Sequence, residues 1–162
     1  MVKITGMSTA EATHFWNGGK DAHGNQPERA VSDGKGNPCR HCLNMIEGGE
    51  AFLILSYRPF TACQPYAEQG PVFLHADRCP VFDPNSAKNG ALPPVLQESP
   101  RYLVRGYDCD ERIVYGSGTI TETNQLRETA DRLLAEEKIT FLHVRSATNN
   151  CWQARIEPDE KP

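Results

Sequence analysis

Ala51-Phe52-Leu53-Ile54-Leu55-Ser56-Tyr57 is a continuous apolar run of strand length, with Pro59 two residues beyond it. It predicts a central strand buried on both faces, ended where Pro59 withdraws an amide donor from the ladder. Just upstream, Glu47-Gly48-Gly49 forms a tight turn after Pro38-Cys39-Arg40-His41-Cys42-Leu43. Downstream, Val72-Phe73-Leu74-His75 reads as a second short strand. A CxxC knuckle that leads straight into a sheet is the organising feature of the chain.

Working outward, Val2-Lys3-Ile4-Thr5 reads as a strand, and Ser8-Thr9-Ala10-Glu11 fits a capping box that opens a short helix ending near Asn17. From Gly18 to Asn37 the chain is rich in Gly, Asn and Asp, which predicts a long surface loop with Ala30-Val31 as its one packing pair. Residues Cys79 to Pro100 read as an irregular excursion. Arg101–Tyr107 and Arg112–Gly116 read as a hairpin turning at Asp108-Cys109-Asp110-Glu111. A long helix is predicted from about Asn124 to Lys138, with Leu126, Ala130, Leu133 and Leu134 as its apolar stripe. Phe141–Arg145 and Cys151–Ile156 supply the last strands. This order predicts one α+β domain over residues 1–156, with a mixed or mainly antiparallel sheet, and a frayed tail over 157–162.

The chain has 162 residues, 38% of them hydrophobic, and a formal net charge of −4. That length suits one domain, and the acidic balance argues against a general nucleic-acid or anionic-membrane binder. No apolar run approaches the length of a membrane span, and the first residues lack the apolar stretch of a signal peptide. A cytoplasmic protein is the expectation. Six cysteines in such a setting point to metal or redox chemistry before a disulfide framework.

Zinc favours four tetrahedral nitrogen and sulfur ligands. Cys39 and Cys42 offer two thiolates at knuckle spacing, and His75 and Cys79 offer a second pair, so the four make a candidate Cys3His site. A closed shell of this kind is structural, because a catalytic zinc keeps one position open for water. The competing readings are small buried cysteines in a turn, or a redox or nucleophilic thiol at Cys39 acting with Cys42 or Cys151 and tuned by His41. The redox reading needs Cys39 at a helix start, for which Gly48-Gly49 leaves little room. Likeness to the zinc deaminase signature is slight, since the order of its parts is reversed and Asp77 stands in place of glutamate. Cys63 and Cys109 fall in loops and are expected to be exposed.

A second candidate lies between the two middle strands, where Arg58, Tyr66 and Glu68 gather a guanidinium, a phenol and a carboxylate. They suggest a site for a small anionic ligand, against the plainer reading of an Arg58–Glu68 pair bracing the loop. Arg101 and Arg105 share a face of their strand, and His143 is expected toward solvent or its sheet neighbours. No phosphate loop, nucleophile elbow or HExxH motif is present.

The runs Pro38–Leu43, Leu55–Phe60, Pro65–Glu68, Gly70–Ala76 with Cys79, Tyr102–Tyr107, His143–Arg145 and Asn150–Trp152 together resemble the bacterial family called domain of unknown function 1203. The resemblance covers about Val2 to Ile156. It implies a stand-alone bacterial cytosolic domain, carries no activity with it, and draws attention to Cys39 and Cys151.

Overall fold

The structure is a computed structural model and describes residues 2–87 and 90–159. Its elements are β1 (Val2–Thr5), α1 (Thr9–Trp16), β2 (Glu28–Val31), β3 (Ala51–Tyr57), β4 (Gly70–His75), β5 (Arg101–Tyr107), β6 (Thr119–Glu122), α2 (Leu126–Leu134), β7 (Phe141–Ser146) and β8 (Trp152–Pro158). The named strands all pair antiparallel and divide into two sheets, β1-β8-β7-β5-β6 and β2-β3-β4.

The apolar run at 51–57 becomes β3, the centre of the smaller sheet. Phe52 is buried on one face and Leu55 and Tyr57 on the other, whereas Leu53, Ile54 and Ser56 are only partly covered, so neither face is sealed along its whole length. The capping box forms as the sequence predicts. Ser8 Oγ accepts from the Glu11 amide, and the Glu11 carboxylate accepts from the Ser8 amide.

Three boundaries differ from expectation. Residues 112–116 make only a single bridge, Ile113 to Tyr107, and the ladder partner of β5 is β6 at 119–122. Gly116 takes a left-handed φ of 92°, and the buried Ser117 hydroxyl accepts the Gly106 amide that a longer hairpin would have used. The predicted helix begins in a 3-10 turn at Thr123–Gln125 and ends at Leu134 rather than Lys138. Ile139 has to reach the core before β7 begins, so the chain tightens through bonds from Glu136 to Leu133 and from Ile139 to Glu136. Finally, Glu157 and Pro158 are strand residues paired with Lys3 and Val2 and not frayed, while 160–162 lie outside the described residues.

One face of the larger sheet, with Val104, Leu142, Val144, Ala154 and Ile156, packs on Leu126, Ala130 and Leu133 of α2. Each of the valine, leucine and isoleucine side chains stabilises by about 1.5–3 kcal/mol on full burial. The opposite face carries Phe141, His143 and Arg145, all buried as well. His143 is fully enclosed, so of the two expected surroundings, solvent or its sheet neighbours, it has the second. The aromatic rings of Phe60, Tyr107, Phe141 and Trp152 surround it. A register shift at Val144/Arg145 sets Trp152 opposite Arg145.

Candidate metal centre

The knuckle is built by the backbone before any ligand is considered. Cys39 N–H donates to Asn44 O at 2.9 Å and Leu43 N–H to Cys39 O at 3.1 Å, closing the turn. Leu43 takes φ of 55°, a left-handed conformation rare for a branched apolar residue, and its buried side chain anchors it in the main core. Arg40 N–H donates to Phe73 O at 3.0 Å, and Cys39 bridges Phe73, so the knuckle is bonded to the strand that carries His75. On the other side Met7 N–H donates to Arg40 O at 2.7 Å.

This arrangement brings one ligand atom each from Cys39, Cys42, His75 and Cys79 to within 4.8 Å of one another. Cys39 and Cys42 are buried, and His75 and Cys79 are partly covered. Cys39 Sγ and Cys79 Sγ are 3.9 Å apart, and Cys42 Sγ and His75 Nδ1 are 3.6 Å apart. A tetrahedron with zinc–sulfur bonds of about 2.3 Å and zinc–nitrogen bonds of about 2.0–2.1 Å has S···S edges of about 3.8 Å and S···N edges of about 3.6 Å. The Cys39–Cys79 and Cys42–His75 separations match those edges.

The groups around the four ligands complete the picture. His75 presents Nδ1 to Cys42, and its Nε2 lies 3.4 Å from the Glu50 carboxylate, an arrangement that fixes tautomer and ring orientation at metal-binding histidines. The His75 amide donates to Cys39 Sγ at 3.5 Å. His41 Nδ1 lies 3.3 Å from Cys79 Sγ, while its Nε2 meets Thr9 Oγ1 at 3.0 Å. Trp16 from α1 donates to the His75 carbonyl at 2.8 Å and lies edge-on to His41.

Electrostatics tells the same story. Hydrogen bonds from Cys42 and then Cys79 push the Cys39 thiol well down, against a burial that opposes them. The Cys42 thiol is pushed up to about 11, chiefly by its bond to Cys39, and Cys79 is raised further for the same reason. Burial and mutual contact oppose ionising all three thiols at once, an opposition that a bound cation would offset. Hydrogen bonding to Cys39 raises the His75 pKa.

Of the other residues singled out by sequence, Cys151 is partly buried and hydrogen-bonds within its own turn, from its amide to Ser146 Oγ, and it is not one of the four ligands. Cys39 sits in a turn with no helix following it, so it lacks the helix start of a thioredoxin-like thiol. Asp77, Cys63 and Cys109 are exposed. Arg58, Tyr66 and Glu68 do not converge. Arg58 lines a cavity against α1, Tyr66 lies beneath Arg112, and Glu68 pairs with Arg105 and Arg145 instead of Arg58. The loop is braced from across the sheet, not from its own base. Sequence reasoning missed Arg40, Glu50 and Thr9; the signal for Glu50 was its place one residue before the strand whose partner carries His75.

The fold and cluster define a small α+β domain organised around four side chains able to hold one metal ion. The chain belongs to the family described as protein of unknown function (DUF1203), whose model matches residues 36–158, from just before the knuckle to the end of β8. No curated protein and no solved structure matches the chain. Among the described residues, no helix is long and apolar enough to cross a membrane.

Proposed function

We propose that this chain is a zinc-binding domain whose Cys39, Cys42, His75 and Cys79 form a closed structural site. The observation that carries the reading is the approach of the four ligand atoms to within 4.8 Å of one another, with the Cys39–Cys79 and Cys42–His75 separations matching tetrahedral edges. Soft thiolates with an imidazole favour zinc over magnesium, calcium or manganese. With four protein ligands no position is left for water, so the ion's role is to join the knuckle to β4 and to the segment after it, converting binding free energy into folding free energy.

Arg40 supports the assignment. It is 2% exposed, and among the described residues it has no carboxylate partner. Three thiolates and a neutral imidazole around a divalent ion carry one net negative charge, and Arg40 lies close enough to Cys39 to feel it. A buried guanidinium beside such an anionic centre is compensated.

The test is elemental analysis of untagged protein with thiol titration and thermal unfolding before and after strong chelation. Near one equivalent of zinc, three protected thiols and a lowered melting temperature on chelation are expected. Metal-free, stably folded protein with a fast-alkylating Cys39 would overturn the reading.

A further inference from the structure

The side of the larger sheet turned away from α2 is unusually polar for a buried layer. Cross-strand pairing sets Arg105 opposite His143 and Leu103 opposite Arg145, and His143 also faces Arg155. Arg155 is paired with Glu157, but Arg105 and Arg145 share the single carboxylate of Glu68, leaving an excess of positive charge.

Arg145 is the centre of this layer. Its side chain is 6% exposed. Nη1 donates to the Asn150 carbonyl at 3.1 Å, whereas neither Nε nor Nη2 makes a hydrogen bond. Nη2 lies 2.7 Å from Glu68, an ion pair by distance whose alignment falls short of a hydrogen bond. Nε and Nη2 lie on one edge of the guanidinium, the kind of edge that grips a carboxylate through two parallel bonds. Trp152, set opposite Arg145 by the register shift, is likewise buried, and its indole N–H has no partner. Such unpartnered buried donors are uncommon and call for an explanation.

Both residues line a cleft of about 290 Å³, the small end of the range for ligand sites. Tyr57, Pro71, Val72 and Trp152 give it apolar walls, and Glu68 stands among its lining. Tyr57 Oη donates to Glu11, so the phenol contributes its ring and not its donor.

We infer that this cleft binds a small organic carboxylate, whose carboxylate displaces Glu68 from Arg145 and takes the aligned bonds that Glu68 does not make. The indole N–H of Trp152 supplies a further donor, and the apolar walls take the ligand's carbon body. That body is what favours an organic acid over inorganic phosphate. Glu68 keeps its pair with Arg105, so the ligand adds one negative charge to a layer that carries an excess of positive charge. No bond is made or broken.

The test follows the Trp152 indole and Arg145 Nε–H resonances of metal-loaded protein during titration with acetate, succinate, phosphate and chloride at constant ionic strength. Saturable shifts with acetate or succinate and none with chloride are expected. Arg145→Lys keeps the charge but loses the two-pronged edge, and should weaken carboxylate binding about tenfold or more. Glu68→Gln removes the competing carboxylate and should tighten it several-fold. No response to either carboxylate, a response to phosphate alone, or one equal with chloride overturns the inference. If Arg145→Lys does not fold, Glu68→Gln decides alone, and unchanged affinity rejects the displacement. Zinc content measured on the same samples keeps this result separate from the metal assignment, which can fail without affecting the cleft.

Discussion

Arg40 Nε donates to the main-chain carbonyl of Trp152 at 2.6 Å, joining the second residue of the knuckle to the first residue of β8. Its Nη1 donates to Pro38 O at 2.8 Å. Burial lowers its pKa to about 10, with the nearby Cys151 and Cys39 sulfurs opposing the shift, so the group stays charged at neutral pH. One side chain therefore ties the candidate metal centre to the larger sheet and sets a positive charge beside Cys39.

Arg40→Met removes both bonds and the charge, and leaves two carbonyls without their donor. A hydrogen bond to a charged group is worth about 1.5–3 kcal/mol, so the variant should lose about 2–4 kcal/mol in urea unfolding of zinc-loaded protein. Arg40→Lys, which keeps the charge, should fall between the two. Equal stability of Arg40→Met and wild type would show that the tie contributes nothing.

Glu50 lies beside His75 Nε2, is not itself one of the four candidate ligands, and would act on a bound metal through that ring. Losing such an outer carboxylate typically costs about 10–100-fold in metal affinity. Glu50→Gln should therefore bind zinc more weakly by that order in competition with a chromophoric chelator, while still holding close to one equivalent at saturation. An unchanged affinity would make the His75–Glu50 approach an incidental surface contact.

What the sequence made legible here was local. The CxxC spacing, the His75/Cys79 pair, the capping box at Ser8 and the stripe of α2 each depend on residues a few positions apart, and each is present. What it concealed was long-range. Nothing in the local sequence marks Arg40 and His41 as buried, yet both are. Glu68 was matched to Arg58, its neighbour in the chain, when its partners stand on β5 and β7. The division into two sheets is equally invisible locally, because an antiparallel strand carries no mark of which other strand it joins.

Gly6 permits the closest backbone approach around the knuckle. A Cβ on Gly6 would lie 2.2 Å from the Arg40 carbonyl oxygen, and the next residue makes the bond that holds that carbonyl. Neither side of this clash is a flexible side chain. Gly6→Ala should cost about 3 kcal/mol or more and lower the melting temperature by several degrees. Gly118→Ala, whose Cβ meets nothing within 4 Å at a φ that L-residues adopt, is the control and should be close to neutral. Similar behaviour of the two variants would mean that β1 and the knuckle move apart at little cost.

His143 provides a pH dependence that can be separated from the metal. It is fully buried, neither ring nitrogen has a partner, and burial, then Arg145, Arg155 and Arg105, hold its pKa well below 6.5. Glu68 and Glu157 neutralise part of that charge from the loop and from β8. The unfolded chain takes up a proton at about pH 6.5 and the native protein does not, so the unfolded state gains up to about 1.4 kcal/mol for each pH unit below that value. The contribution is present above pH 6.5 and is lost as pH falls toward the native pKa. Phenylalanine at this position cannot take up the proton and keeps a ring against Phe60, Tyr107 and Phe141. In paired unfolding curves of wild type and His143→Phe, acid protonation of the metal ligands acts on both proteins and drops out of the difference. That difference should shift in favour of the variant as pH is lowered from 7 toward 5. If it stays flat, native His143 accepts a proton as readily as the unfolded chain does, and the arginine-rich layer is not holding it neutral.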